Sequence, residues 1–233
     1  MEYDRLKEGT TNFTQISGRI CVEPTKSHQV EGEYFYEFKV EVERLSKVKD
    51  IIPVTISERA IVGETIKLGD FVKVTGEYRS YNKLQDDRSR LILHLFGKEL
   101  QVLNANEQKE NLYTNEVQLI GYVCKQPIYR KTPFDREICD VLLAVNRPNF
   151  HKSDYIPCIM WGINARFMAS QNVGCKVELV GRIQSREYTK MLPNNESETK
   201  TAYEVSCQRI AIISNVAGID SQKKESLKDR DII

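Results

Sequence analysis

Gln118-Leu119-Ile120-Gly121-Tyr122-Val123-Cys124-Lys125-Gln126-Pro127 answers, 103 residues on, Gln15-Ile16-Ser17-Gly18-Arg19-Ile20-Cys21-Val22-Glu23-Pro24. The same offset pairs Phe38-Lys39-Val40-Glu41-Val42-Glu43-Arg44 with Val141-Leu142-Leu143-Ala144-Val145-Asn146-Arg147. Ile52-Pro53-Val54-Thr55-Ile56 meets Ile156-Pro157-Cys158-Ile159-Met160 at 104, and Gly69 and Gly76 meet Gly174 and Gly181 at 105. A preserved order with so small a drift marks one unit duplicated within the chain. A length of 233 residues accommodates two such units as small domains.

Each unit reads as a set of short strands. Phe38, Val40 and Val42 alternate with Lys39, Glu41 and Glu43, and Val177, Leu179 and Ile183 share one face of residues 176–185. Gly18 and Gly181 fall inside strands, where glycine marks a bulge or a tight bend. Within residues 161–173, Ala165, Met168, Ala169 and Val173 lie at helical spacing, and Gly174 follows as a stop. Five strands with a short helix after the third make the arrangement of an OB-fold. The expected class is all-β with short helices, as two tandem five-stranded Greek-key barrels. Residues 1–104 form the first barrel, 105–114 a polar linker, 115–214 the second barrel, and 215–233 a flexible tail. Residues 192–200, and 85–90 in the first copy, read as mobile hairpin loops.

Composition narrows the function classes. With 34 Lys+Arg against 33 Asp+Glu, the formal net charge is +1. A mean hydropathy of −0.46, with no long apolar run, argues against a membrane span. The start, Met-Glu-Tyr-Asp-Arg-Leu-Lys, lacks the apolar stretch of a signal peptide, so a cytoplasmic protein is expected. The six cysteines form no CxxC pair and sit mostly in apolar runs, which predicts reduced, buried thiols. Three scattered histidines build no metal cluster, and Asp140 has no second carboxylate at a defined spacing. Lys131-Thr132-Pro133 lacks the glycines of a phosphate-binding loop. No enzyme and no cofactor are expected.

The second unit resembles the bacterial single-stranded DNA-binding protein (SSB) family. The likeness rests on Asn115-Glu116-Val117-Gln118-Leu119-Ile120-Gly121, Arg130-Lys131-Thr132-Pro133 and Cys139-Asp140-Val141-Leu142-Leu143-Ala144-Val145-Asn146-Arg147. Ile156-Pro157-Cys158-Ile159-Met160-Trp161-Gly162 and Val180-Gly181-Arg182-Ile183-Gln184-Ser185-Arg186-Glu187-Tyr188 continue it in order. The first unit is similar to that family through the repeat. The resemblance implies sequence-independent binding of single strands, with bases stacked on four aromatic positions, here Phe150, Tyr155, Trp161 and Tyr188. Stacking tolerates any base because every base has a π-face. Arg130, Lys131, Arg147, Lys152, Arg166, Arg182, Arg186 and Lys190 are the cations expected along the phosphates.

In the first unit the same four positions hold Lys47, Ile51, Ser57 and Lys83. Residues 1–110 carry 17 basic and 19 acidic side chains, whereas residues 111–215 carry 13 and 10. The second unit is therefore expected to be the main nucleic-acid surface and the first a structural or assembly partner with weaker binding, where Tyr34, Tyr36, Tyr78 and Tyr81 keep open a second, differently arranged binding face. Most members of the family have one barrel per chain and assemble as tetramers, so the resemblance implies a homodimer with four barrels. The last residues, Lys228-Asp229-Arg230-Asp231-Ile232-Ile233, depart from the family's acidic tip at Arg230, which argues against recruiting partner proteins through it. Two alternatives stay open: RNA in place of DNA, and an OB-fold assembly or protein-interaction module in which Trp161 is buried against a partner.

Overall fold

Alternation of apolar and polar residues turns one face of each strand inward, and in each half of the chain those faces close on themselves. The computed structural model describes residues 10–214 except 62, 64, 86–87, 149–150 and 192–196. Strands β1 (Asn12–Val30), β2 (Glu33–Glu43), β3 (Lys49–Ser57), β4 (Phe71–Gln85) and β5 (Arg88–Val102) form the first half. β1 pairs with β2 and β4, β2 with β3, β4 with β5, and the parallel β3–β5 pair closes the ring. The second half holds β6 (Asn115–Val123), β7 (Ile128–Lys131), β8 (Glu137–Arg147), β9 (Lys152–Trp161), β10 (Lys176–Met191) and β11 (Ser197–Ser214). It closes in the same way through β6–β8, β8–β9, β9–β11, β10–β11 and β6–β10. The extra strand β7 lies on β8. Its counterpart in the first half is the distal part of the long β1, which bends through three register shifts against β2. The fold is all-β with short helices, as read from the sequence.

The predicted inward residues fill the core: Phe38, Val40 and Val42 in one half, and Val177, Leu179 and Ile183 in the other, are buried. Helix α2 (Ile163–Ala169) buries Ala165 and Met168 against the second barrel. Val173 departs from the expectation, because the helix has already ended and the side chain is exposed. A 3-10 turn over Glu58–Ile61 takes the place of α2 in the first half. The hairpin strands also run further than expected, with β5 beginning at Arg88 and β11 at Ser197. All six cysteines are free; Cys139, Cys158, Cys175 and Cys207 are buried, and Cys21 and Cys124 half-buried. No described helix is long and apolar enough to cross a membrane.

Glycines explain why the repeat drifts so little. A Cβ at Gly76 would stand 2.0 Å from the Phe96 carbonyl oxygen, and one at Gly181 2.3 Å from that of Ser206. At both places the hairpin register skips one residue, so a side chain would block the bulge that bends the strand into the ring. Gly69 and Gly174 each turn at positive φ into the following strand, donating to the Ile20 and Val123 carbonyls.

The two halves share one eleven-stranded sheet through an antiparallel β1–β6 pair running from Asn12 opposite Leu119 to Ile16 opposite Asn115. At its centre Thr14 faces Val117, two positions that are themselves 103 apart, so an approximate two-fold axis passes through this pair. The segment read as a polar linker is helical over α1 (Ala105–Asn111). Asn104 and Glu107 form its capping box, a spacing that the sequence displays. The Ser17 N–H donates to the Thr114 carbonyl, which ties the connection down.

His94, on the outer side of β5, bonds the Thr55 hydroxyl through Nδ1 at 2.7 Å. Burial, and after it the Arg79 charge, pushes its pKa down to about 4; Arg147 and His28 act in the same sense, and Asp154 opposes them. The unfolded imidazole titrates near 6.5, so the unfolded chain binds more protons between those values. Stability from this group is complete above about pH 6.5 and is lost as pH falls toward 4, by on the order of 3 kcal/mol. Urea midpoints at both ends of that window should show the loss, and His94→Gln should flatten it.

Candidate nucleic-acid interface

Strand β9 positions the two central rings. Ile156, Cys158 and Met160 point into the barrel, which sends Tyr155 and Trp161 outward to 45% and 37% exposure on one face. Six residues at about 3.3 Å each separate them by about 20 Å. Gly162, at positive φ, ends the strand, and its N–H donates to the Glu137 carbonyl at 3.0 Å, which fixes the end that carries Trp161. Tyr188 is 40% exposed on the β10–β11 hairpin opposite Lys200. Phe150 lies outside the described residues, as does the Lys190 side chain.

The expected cations divide into three groups. Lys152 and Arg186 are exposed and make no polar side-chain contact among the described residues. Arg130 is paired with Asp140 at 2.8 Å, Lys131 with Asp135 at 2.9 Å, and Arg166 with Glu137 at 3.2 Å. These are surface pairs worth about 0–1 kcal/mol, so a phosphate can replace the carboxylate at small cost. Their partners hold the Arg130 and Lys131 pKa values above the ordinary ones, so both stay charged.

Arg147 and Arg182, expected along the phosphates, lie at the junction of the two halves. Arg147 grips Asp154 through Nε and Nη2 at 2.8 and 2.6 Å and donates to the Ser80 carbonyl of the first half. Asp154, 1% exposed, also accepts the Ser80 N–H, and the Ser80 hydroxyl accepts the Tyr155 N–H. The same clasp recurs across the two-fold axis. Arg44 grips buried Asp50 through two bonds of 2.6 Å, Asp50 accepts the Ser185 N–H, and the Ser185 hydroxyl accepts the Ile51 N–H. Arg182 lies beside this second clasp, 3.7 Å from Asp50, and burial followed by the Arg44 charge lowers its pKa. Both arginines are thus committed to the junction of the halves. Sequence reasoning missed the clasps, although the repeat itself aligns Arg44 with Arg147, Asp50 with Asp154 and Ser80 with Ser185.

Residues 114–213 match the profile of the Single-strand binding protein family. A single-stranded DNA-binding protein of Enterococcus faecalis is 32% identical over 108 residues, which are 43% of this chain and 55% of that protein. One of Halalkalibacterium halodurans is 30% identical over 105 residues, 42% of this chain and 60% of its own length. The chain thus spans little more than half the length of these relatives. The crystal structure of the single-stranded DNA binding protein from Thermus aquaticus superposes over 90% of this chain and 95% of its own, with a TM-score of 0.70 and 15% identity. Both halves therefore share the fold of that protein. Among the described residues no group of His, Cys, Asp and Glu could hold a metal ion.

Proposed function

We propose, taking as premise the match of residues 114–213 to the single-strand binding family, that this protein binds single-stranded DNA without regard to sequence during replication, repair or recombination. The observation that carries this reading is the pair of outward rings, Tyr155 and Trp161, on the face of one strand, with Arg186 and Lys152 free for phosphates. Stacking contributes about 1–3 kcal/mol per base and is closed to a paired base, whose faces are already covered in the duplex. The role is binding rather than catalysis. A cytoplasmic, nucleoid-associated homodimer with four barrels completes the reading.

The test is filter binding of the full chain to an oligothymidine of about 35 nucleotides, with duplex and oligouridine as competitors. Binding should be far tighter to the single strand than to duplex, with a salt slope of about −0.7 per neutralised phosphate. Equal affinity for duplex, or no affinity for the single strand, would leave the protein as an assembly module. Preference for oligouridine would assign it to RNA.

A further inference from the structure

The two clasps differ at one pair of equivalent positions. Gly76 and Gly181 answer each other in the repeat, so the residues that follow them, Glu77 and Arg182, do as well. Glu77 accepts from Arg79 Nε and Nη2 at 2.9 and 2.7 Å and is paired with Lys98, so its charge is met within the first half. Arg182 is met less completely. Its Nη2 reaches Gln184 Oε1 at 3.5 Å, the limit of a hydrogen bond. Its Nη1 is buried with no hydrogen-bond partner among the described residues.

Asp50 does not supply the missing acceptor. Its carboxylate already accepts two bonds from Arg44, the Ser185 N–H at 2.7 Å and the Ser185 hydroxyl at 3.3 Å, about as many as its lone pairs take. Arg182 Nη1 stands 3.7 Å from it, beyond hydrogen-bond reach. One buried carboxylate thus faces two guanidiniums, and a positive charge is left over. A charged donor kept from water without an acceptor bears the full desolvation cost of the group.

A cleft of about 380 Å³ opens beside these guanidiniums, between the two halves. Arg44 and Arg182 line it together with Ser46 of the β2–β3 turn, Tyr113 of the connection and Gln208 of β11. The Tyr113 hydroxyl accepts from Lys47 Nζ at 3.0 Å, which leaves its own O–H to donate. Glu43, also on the wall, is paired with Lys47 at 2.9 Å, so it does not cancel the surplus charge. The Asn115 side chain bonds both the N–H and the carbonyl of Ile183, which fixes the strand where it presents Arg182.

Guanidiniums with hydroxyl and amide donors around one cleft suit an oxyanion. A terminal phosphate offers three acceptor oxygens and a charge of about −1.5 to −2, whereas a phosphate inside a strand carries about one charge. We propose that this cleft binds a terminal phosphate, as inorganic phosphate or on a nucleoside monophosphate, which gives Arg182 Nη1 its acceptor and draws on Arg44, Ser46, Tyr113 and Gln208. The ligand braces the junction beside the Asp50 clasp. Tyr155 adjoins the other clasp, across the two-fold axis, so the site is separate from that ring and does not depend on the single-strand reading.

Isothermal titration calorimetry of the full chain with inorganic phosphate, and separately with thymidine monophosphate, at ionic strength matched with chloride, tests the site. Saturable binding is expected. Tighter binding of the monophosphate assigns the site to mononucleotides, and equal or tighter binding of inorganic phosphate assigns it to the free anion. Arg182→Gln should weaken binding about ten-fold or more, since a charged donor is lost. The fold accepts a shorter polar side chain here, because Glu77 stands at the equivalent position. No saturable binding below about 10 mM, or equal binding by Arg182→Gln, overturns the proposal. In the unmodified protein, phosphate should shift the amide resonances of Ser46, Tyr113 and Arg182, and shifts confined to other residues overturn it. Displacement by phosphate of an oligothymidine lacking a terminal phosphate, read from Trp161 emission, would put the anion on the strand's own path and overturn a separate site.

Discussion

Alanine at both Trp161 and Tyr188 is expected to raise the Kd for single-stranded DNA by roughly two orders of magnitude, about 3 kcal/mol. Each ring exposes more than a third of its surface and stands on the outer side of its strand, so neither substitution opens the core. The loss should come from bases that no longer have a partner plane, since the cations stay in place. The salt slope should therefore hold while the affinity falls, because the count of neutralised phosphates sets the slope. Anisotropy of a labelled oligothymidine at two salt concentrations measures both. An unchanged Kd would remove this face from the account. A lost slope would move the energy from stacking to charge.

The second large effect concerns stability. Asp154→Ala removes the carboxylate that holds Arg147 and the Ser80 N–H, and leaves a mostly buried guanidinium facing the other half. Breaking a buried pair from one side costs about 3–5 kcal/mol, since the surviving charge is left uncompensated. Asp50→Ala should cost a similar amount at the equivalent clasp, where Asp50 also faces Arg182. Adding Arg147→Met to Asp154→Ala should recover part of the loss, because the unpaired charge leaves with its partner. Urea unfolding of the three variants gives the comparison. A loss below about 1 kcal/mol for Asp154→Ala would place this pair with the surface bridges instead.

The duplicated strands were legible because burial imposes a period of two, and because the mid-strand glycines Gly18 and Gly181 sit where a Cβ would meet a neighbouring strand's carbonyl. The outward facing of Tyr155 and Trp161 was legible for the same reason, since an even separation on a strand keeps both rings on one side. The placement of Arg147 and Arg182 beside Asp154 and Asp50 was not, because the guanidinium that meets a phosphate is the same group that satisfies a buried aspartate. Only the packing of the two halves decides between those partners. The helix over Ala105–Asn111 was spelled out by Asn104 and Glu107, but its polar composition hid it among linker residues. The neighbouring rings of His28, Phe35, Tyr81, His94 and Phe96 in the first half were not legible, because they come from four strands and no sequence window brings them together.

Trp161 is the single tryptophan of the chain, which makes its emission a local probe of the face in question. The most direct measurement is that emission during titration with an oligothymidine of about 35 nucleotides, against a duplex control, at low and moderate salt. Strong quenching by the single strand and none by the duplex is the predicted result, with tighter binding at low salt. Emission unmoved by the single strand, under conditions where a gel shift is also absent, would contradict the account.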